Sequence, residues 1–383
     1  MIDDVALRAG LVDELTANGW LTTGLWRDAF ATVPRHAFLR RFFGLTSDGA
    51  AYLAIDEHHP NWLELVYRNA AWPTQLNADP TAWQRAVQHG PITGKTTCSG
   101  TQPSLMAIML EALDLRDGHR VLEIGTGTGY NAALLAHRVT GQQVTSVDVD
   151  PDLIAQARIN LQDAGYNPIV AVADGEGGHA AAAPYDRLIA TCSVATIPPA
   201  WIDQVRPGGI IITNLYRELV GQSLLRLTVA DDGTASGTLL DDAGGFMPLR
   251  AHQHPNLTAI IRDAMSQNGD TRPSKLPGPI TDNGPAWTYL ADLLMPDVAR
   301  TDIIRNSGNV QWLVHSDGSW AYHDTASGNV EQAGPQRLWD ELEHIHDLWA
   351  SNGKPNRNQI GVTVTPAGEQ CIWLGVPVNP IRI

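Results

Sequence analysis

A glycine-rich turn between an apolar strand and a helix constrains the fold of this chain more than any other feature. Residues 121–130 read VLEIGTGTGY, which predicts a buried strand, a turn built on three glycines and the start of a helix over 131–138. Strand and helix patterns alternate from there, with further strands expected at 143–149, 169–173, 186–191 and 210–215. Such alternation predicts an α/β fold with a doubly wound, mostly parallel, Rossmann-like sheet that binds its ligand at the carboxyl ends of the strands.

The chemistry around the turn favours an amine-bearing cofactor over a dinucleotide. Glu123 precedes the first glycine, and Gly125, Gly127 and Gly129 follow GxGxG spacing, with Thr126 between the first two. The dinucleotide fingerprint has GxGxxG spacing, and a pyrophosphate is unfavourable beside a carboxylate. S-adenosylmethionine carries a sulfonium and an α-amino group but no phosphate, and the glycines let the backbone approach its amino-acid part closely.

Two further acidic residues end the next two predicted strands. Asp148 lies about twenty residues beyond the turn, where a carboxylate can accept hydrogen bonds from both ribose hydroxyls. Asp174, followed by Gly175, ends the third strand, where a carboxylate can accept from the adenine amino group. Each aspartate alone is more often an ordinary loop residue. Acidic groups at three successive strand ends favour an S-adenosylmethionine-dependent methyltransferase.

The charge balance disfavours several kinds of partner. The chain has 41 acidic and 26 basic residues and a formal net charge of -15, which is unfavourable for binding nucleic acid or an anionic membrane. No stretch approaches the length of a membrane-spanning helix, and the acidic start lacks the features of a signal peptide, so we expect a cytoplasmic protein. The 3 cysteines have no CxxC spacing, so neither a disulfide framework nor a metal site is expected.

Several segments carry a more specific resemblance to one family. They are 33–38 (VPRHAF), 66–69 (VYRN), 97–106 (TCSGTQPSLM), 120–130, 173–175 (ADG), 184–188 (PYDRL) and 204–209 (QVRPGG). From about residue 10 to about residue 220, the sequence resembles protein-L-isoaspartate O-methyltransferases. The VPRH segment and the hydroxyl-rich segment before Pro103 make this resemblance narrower than a likeness to methyltransferases in general.

The resemblance implies which side chains contact the substrate. The family's Ser-x-Pro segment is stretched here between Thr97 and Pro103, so either Ser99 or Thr101 takes the place of the family serine. Four further positions are predicted to contact the substrate: His36, Tyr67, Thr97 and Thr191.

The resemblance also implies a reaction, which is methylation of an aspartyl or isoaspartyl carboxylate in a peptide or protein by S-adenosylmethionine. A carboxylate has a pKa near about 4 and is ionised at neutral pH, so no general base is needed. Positioning and exclusion of water then supply most of the rate. The methyl ester is a better electrophile than the acid, so the following backbone nitrogen can displace methanol and close a succinimide (aspartimide) ring.

We expect three regions in the chain. Residues 1–95 form a helical and irregular segment over the active site, 96–250 the cofactor-binding domain, and 251–383 a small α+β extension. In the extension, alternation at 311–322 and 362–374 predicts two hairpins, and one helix face carries Leu338, Leu342, Ile345 and Trp349. We expect this extension to select the substrate, so a chain ending near residue 278 should still bind the cofactor.

Two departures from the minimal family pattern bear on the substrate. The segment 40–94 is long, and the extension from about residue 250 has no counterpart in a minimal repair enzyme. Both features resemble divergent actinobacterial members that modify ribosomally made peptides, so we predict such an enzyme, with its ester closing to an aspartimide. Two alternatives remain open: a general isoaspartate-repair methyltransferase, and a non-catalytic protein that binds the cofactor and a partner.

Overall fold

The N-terminal part of the molecule combines short helices with two small strand pairs. The computed structural model describes residues 3–252, 258–264, 266–281, 284–305, 308–377 and 381. Its first elements are α1 (Asp4–Ala17), α2 (Gly24–Thr32), α3 (Arg35–Phe38), β1 (Arg41–Leu45), β2 (Tyr52–Asp56), α4 (Trp62–Val66), β3 (Trp72–Leu76), α5 (Ala82–His89) and β4 (Thr96–Gly100). β1 pairs with β2 and β3 with β4, both antiparallel. The sequence predicted a helical and irregular segment over 1–95 and no strands in it, because strands of five residues are too short for their alternation to stand out.

The central part forms the predicted alternation of strands and helices. Its elements are α6 (Pro103–Ala112), β5 (Val121–Ile124), α7 (Tyr130–Arg138), β6 (Val144–Asp148), α8 (Pro151–Asp163), β7 (Ile169–Val172), β8 (Tyr185–Val194), α9 (Pro199–Gln204), β9 (Val205–Tyr216), β10 (Gln222–Val229) and β11 (Ala235–Ala243). The C-terminal part contains α10 (Thr258–Ala264), β12 (Asp270–Pro273), α11 (Ala286–Leu294), β13 (Val298–Arg305), β14 (Gly308–His315), β15 (Trp320–Asp324), β16 (Asn329–Ala333), α12 (Leu338–Ser351), β17 (Ile360–Val364) and β18 (Gln370–Leu374).

The main sheet has nine strands in the order β18-β17-β11-β10-β9-β8-β5-β6-β7. The five strands from β9 to β7 are parallel, and β10, β11, β17 and β18 are added antiparallel. From β5 the chain moves outward to β6 and β7, and then returns to β8 and β9 on the other side of β5. This reversal confirms the predicted doubly wound fold, and it opens a crevice at the carboxyl ends of β5 and β8.

Side chains of the sheet alternate between two cores, as strand geometry requires. On one face, Ile210 and Ile212 pack with α6, α7 and the N-terminal helices. On the other face, Ile211 packs with Trp201 of α9 and with the buried residues of α11 and α12. The C-terminal helices therefore share a core with the main sheet.

The C-terminal part differs from the predicted separate unit in one respect. The sheet β12-β16-β15-β14-β13 is its own, and both predicted hairpins form, with Gly318 and Gly368 in the turns at positive φ. However, β17 pairs with β11, so the last hairpin extends the main sheet. The alternation of apolar and polar residues in a strand does not show which strand it pairs with. The sequence therefore could not show that β17 joins the main sheet. The division of the chain into domains at residues 95 and 250 remains a proposal.

Within the described ranges, the structure contains no helix that combines the length and the apolar character needed to cross a bilayer.

Candidate active site

A cleft of about 1110 Å³, including space open to solvent, lies at the carboxyl ends of β5, β6 and β8. It is bounded by the glycine turn, by β4 and by residues 246–250. Ten of the predicted site residues line it: Thr97, Ser99, Thr101, Gly125, Thr126, Gly127, Asp148, Asp174, Gly175 and Thr191. The structure thus brings together side chains that the sequence places almost a hundred residues apart.

The glycine turn approaches the neighbouring strand so closely that a side chain would not fit. Gly125 has a φ of +97°, and a Cβ there would lie 2.8 Å from Thr191 Oγ1. The Thr191 hydroxyl donates a hydrogen bond of 2.7 Å to the Gly125 carbonyl. Thr191 therefore supports the turn from β8 as well as lining the cleft, a role that the sequence did not suggest.

Asp148 sits at the edge of the cleft and is held by two backbone donors. Its Oδ2 accepts from Gly127 N at 3.0 Å, and its Oδ1 accepts from Asp150 N at 3.2 Å. Burial raises the pKa of Asp148, and these two hydrogen bonds oppose the rise. A carboxylate fixed in this way presents an acceptor to hydroxyl groups in the cleft. Asp174 also lines the cleft, and its side chain accepts from Glu176 N at 3.1 Å.

Glu123 lies beneath the glycine turn and is not among the cleft-lining residues. Its carboxylate is fully buried and accepts from Asn131 Nδ2 at 2.7 Å and from Ser146 Oγ at 2.5 Å. Ser146 Oγ is in turn 2.7 Å from Thr126 Oγ1. Burial raises the pKa of Glu123 to about 7. The predicted direct contact with a cofactor therefore has no support from this placement, which instead makes Glu123 a brace under the turn.

Gly129 also lies behind the cleft. It begins α7 in the left-handed region, with a φ of +92°, and a Cβ there would lie 3.2 Å from Leu161. Its glycine requirement comes from packing of α7 against α8. Gly129 is thus a structural position in the turn.

The residue that follows β4, Thr101, is anchored by a buried arginine of the N-terminal part. Arg35, which is fully buried, donates to the carbonyl of Thr101 at 3.0 Å and also to the carbonyls of Arg68 and Ala70, both at 2.9 Å. Desolvation lowers the pKa of Arg35 to about 10. The arginine of the VPRH segment therefore helps to fix the position of Thr101.

Thr97 is already engaged within the protein. Its hydroxyl donates to Gln75 Oε1 at 2.9 Å and accepts from Ala78 N at 2.8 Å. Ser99 and Thr101 have no hydroxyl hydrogen bond within the described part of the chain. They are therefore better placed than Thr97 to donate to a substrate.

His36 and Tyr67 form a separate cluster and are not among the cleft-lining residues. His36 Nδ1 lies 2.8 Å from Tyr67 Oη, and the two rings pack edge to face. Burial lowers the pKa of His36 and raises the pKa of Tyr67 to about 12. Direct contact of either residue with the substrate remains a prediction.

Neither cleft cysteine has the character of a nucleophile. Cys98 and Cys192 both line the cleft, and burial raises the pKa of Cys98 to about 12 and also raises that of Cys192. The reactive form of cysteine is the thiolate, so both thiols are inert at neutral pH. Within the described ranges, no three His, Cys, Asp or Glu side chains are grouped so that they could hold a metal ion.

A segment that the sequence did not single out covers the cleft. Residues 246–250, which we call the strap, line it from the side of β8. The side-chain amide of Gln222 accepts from Phe246 N at 2.6 Å and donates to Phe246 O at 2.8 Å. Leu249 N donates to Ser193 O at 2.8 Å. The one signal of this segment in the sequence is a pair of glycines at 244–245 followed by the apolar residues 246–249.

The cleft suits an adenosyl cofactor better than a phosphate-bearing one. Among the cleft-lining residues in the described ranges, Arg250 is the one with a cationic side chain, and it is paired with Asp150 at 3.1 Å. Gly125 N and Thr126 N donate to Val147 O, and Gly127 N donates to Asp148, so these turn amides are not free to bind phosphate. Two carboxylates can accept hydrogen bonds from ribose hydroxyls and from an amino group, and the close glycine backbone leaves room for an amino-acid moiety.

Comparison with known proteins points to the same chemistry. The family model described as Protein-L-isoaspartate(D-aspartate) O-methyltransferase (PCMT) matches residues 56–252. The protein-L-isoaspartate O-methyltransferase of Azorhizobium caulinodans is 37% identical over 190 residues, which are 49% of this chain and 83% of that protein. The corresponding protein of Ignicoccus hospitalis is 38% identical over 161 residues, or 42% of this chain and 74% of that protein.

A solved structure named protein-L-isoaspartate O-methyltransferase has a similar fold. It superposes with a TM-score of 0.55 at 22% identity and covers 96% of this chain and 100% of that one. The similarity in fold thus extends over the C-terminal part as well as the catalytic sheet.

Proposed function

Because the chain belongs to the protein-L-isoaspartate(D-aspartate) O-methyltransferase family and is an S-adenosylmethionine-dependent carboxyl methyltransferase, we propose that it methylates a peptide whose carboxylate lies at Ser99 and Thr101. The observation that carries this proposal is the position of these two residues. Both line the cofactor cleft, and both also line a second, outer groove. A carboxylate that enters from the groove can therefore meet a methyl donor in the cleft.

The cofactor would be held by Asp148 at its ribose, by Asp174 at its adenine and by the glycine turn at its amino-acid part. When bound, it supplies an electrophilic methyl group on a sulfonium. The chain itself needs no base, because the substrate carboxylate is already ionised. Ser99 or Thr101 donates a hydrogen bond that orients the carboxylate without forming a salt bridge.

The rest of the chain's contribution is positioning and exclusion of water. Arg35 and Gln75 fix β4, and the strap covers the cleft from the opposite side. A displacement at carbon requires the two reacting atoms to be aligned, so such anchoring contributes directly to the rate. The product ester closes to a succinimide by attack of the next backbone nitrogen, without help from the enzyme.

For the range of substrates, we propose general methylation of isoaspartyl peptides as the first candidate. It is supported by the matched relatives, which carry the name protein-L-isoaspartate O-methyltransferase. The solved structure of that name is similar in fold over nearly the whole chain, so the C-terminal part is not by itself a sign of specialisation.

The second candidate is modification of one ribosomally made peptide, whose ester closes to an aspartimide. It is supported by the long segment 40–94, which contains β1 to β3, α4 and α5 and contributes Thr74, Gln75 and Trp83 to a pocket beside the glycine turn. The non-catalytic alternative is set aside, because the family to which the chain belongs consists of methyltransferases.

Mass spectrometry distinguishes the two candidates. The purified protein is incubated with S-adenosylmethionine and either a linear isoaspartyl peptide or a constrained aspartyl peptide. Methylation of the isoaspartyl peptide, followed by loss of methanol, supports the general candidate. Methylation of the constrained aspartyl peptide alone supports the dedicated one. If S-adenosylhomocysteine is never released with any peptide, the proposed function is wrong.

A further inference from the structure

The outer groove has a composition that bears on the choice of peptide. We call it the substrate groove. It encloses about 730 Å³, including open solvent, between the end of α1, the helix α6 and the end of β11. Its walls include the apolar side chains of Trp20, Leu105 and Ile108. Ser99 and Thr101 form its junction with the cofactor cleft.

Among the described residues that line the substrate groove, Asp242 is the one with a charged side chain. It lies near the end of β11 and is half-buried. Within the described part of the chain, it forms no ion pair within 4.0 Å. The guanidinium of Arg357 acts on it only at longer range and lies 4.0 Å from the ring centre of Tyr289.

The neighbouring carboxylate does not share this environment. Asp241 is exposed, and it accepts a hydrogen bond of 3.2 Å from Asn358. Asp242 lines the groove and Asp241 does not, so the two carboxylates have different surroundings in a stretch where the pairing of β11 with β10 is irregular. Burial raises the pKa of Asp242, and the more distant Arg357 opposes the rise without cancelling it.

We propose that Asp242 is a specificity-determining residue that binds a cationic group of the peptide, either a lysine or arginine side chain or the N-terminal ammonium. The inference rests on the proposed function, since it requires a peptide in the groove. A peptide that fills the groove removes more water from Asp242. A cation on the peptide compensates for that loss, a neutral group does not, and an anion is repelled. The enzyme therefore prefers isoaspartyl or aspartyl peptides with a nearby positive charge.

The test uses a set of peptides that differ at one position near the methylated residue, with Lys, Gln or Glu in turn. An N-acetylated copy of each peptide has no terminal ammonium, so comparing the two forms separates the contribution of the lysine side chain to the rate from that of the terminal ammonium. With the wild-type protein at low salt, kcat/KM for the preferred cationic peptide should exceed that for the Gln peptide by roughly fivefold. High salt should reduce the ratio.

Two variants locate the effect. Asp242→Asn should bring the ratio of Lys to Gln peptides close to one. Asp241→Asn removes the same formal charge one residue away and should leave the ratio unchanged. Asp242→Lys should reverse the preference toward the Glu peptide, which a loss of folding cannot do. Calorimetric binding of S-adenosylhomocysteine shows that each variant is folded.

The outcomes separate this inference from the proposed function. If all peptides are methylated at equal rates by the wild-type protein, the role of Asp242 is wrong and the proposed function stands. Equal effects of Asp241→Asn and Asp242→Asn would show a general field of the acidic protein and also overturn it. If no peptide is methylated, the proposed function fails and the inference fails with it.

Discussion

Gln75 Nε2 donates a hydrogen bond of 3.0 Å to Asp150 Oδ2, and this bond joins the N-terminal part to the strand end that carries Asp148. Both residues are 7% exposed. The same amide accepts from Thr97 Oγ1 at 2.9 Å, and the same carboxylate accepts from Arg250 at 3.1 Å. These two buried side chains together link β4, the end of β6 and the strap, which sets the relative positions of the three segments.

Gln75→Ala should lower turnover, because β4 loses the contact that fixes it against the end of β6, which carries Asp148. We expect a decrease in kcat of about tenfold to hundredfold, since a small misplacement of reacting groups is costly. Leaving Asp150 without its buried donor should also lower the free energy of unfolding by about 1–3 kcal/mol. Steady-state kinetics and urea unfolding measure the two effects. The exposed Gln88→Ala serves as the control and should change neither.

Asp148→Ala should weaken cofactor binding, because the ribose hydroxyls lose a charged acceptor. Charged hydrogen bonds contribute about 1.5–3 kcal/mol, which corresponds to a loss of roughly tenfold to hundredfold in affinity. Calorimetry with S-adenosylhomocysteine measures it. Asp152→Ala, an exposed substitution in the first turn of α8, is the matched control. An unchanged affinity in Asp148→Ala would rule out the ribose assignment.

Ser99→Ala and Thr101→Ala should leave cofactor affinity nearly intact, and one of them should lower kcat. That variant loses the hydroxyl that orients the substrate carboxylate, so the reacting atoms are no longer aligned. If Thr101 is the residue, Thr101→Ser should restore most of the rate, because the hydroxyl returns. If neither alanine variant changes kcat, β4 is a structural segment and the role implied by the family serine is wrong.

The local parts of this site were predictable from the sequence, and the long-range parts were not. The glycine turn and Asp148 follow a strand directly, so their place at the carboxyl edge follows from the fold. Glu123 is also close to the glycine turn in sequence, but its side chain lies beneath the turn. The side chain of the next residue, Ile124, lines the cleft. Adjacent strand residues face opposite sides, and the sequence did not show which side was the cleft.

Other contacts depend on segments that have no common spacing. Gln75 and Asp150 are 75 residues apart, and Arg250 is a further 100 residues along the chain. Asp242 lines the substrate groove only because β11 ends beside α6 and β4. No periodicity or motif encodes such meetings, so only the three-dimensional structure reveals them.

Glu123→Gln should reduce the dependence of stability on pH. The usual pKa of this carboxyl is 4.5, and burial raises it to about 7 in the folded protein. Between these values the folded state binds more protons than the unfolded state, so stability falls as pH rises through this window. The full effect is about 3 kcal/mol for a fully buried group. The amide still accepts from Asn131 and can donate to Ser146, so the brace under the turn is preserved.

Urea unfolding at pH of about 5 and about 8 checks this prediction. The difference in the free energy of unfolding between the two pH values should be smaller in Glu123→Gln than in the wild-type protein. Burial also raises the pKa of Asp292 to about 7, so part of the slope remains in the variant. The exposed Glu57→Gln should leave the slope unchanged. An identical slope in the wild-type protein and Glu123→Gln would contradict the assignment.

Removal of the chain from residue 278 onward should unfold the protein, in contrast to the expectation from sequence that cofactor binding survives. Leu342 of α12 is fully buried in the same core as Ile211 of the main sheet. In addition, Asp292 of α11 accepts from Leu219 N and Val220 N in the turn after β9, at 3.1 and 3.0 Å. A truncation would expose this core, so loss of activity would not reveal selection of the substrate.

Point substitutions test the same contact without removing the core. Leu342→Ala should lower the free energy of unfolding by about 2–5 kcal/mol and lower the melting temperature, as for other large-to-small changes in a core. Ile304→Lys, in the same C-terminal part at a side chain that is 84% exposed, should have little effect. A truncated protein that remained soluble, bound S-adenosylhomocysteine and melted cooperatively would show that the C-terminal helices are dispensable for the core. In that case the C-terminal part would again be a candidate for substrate selection.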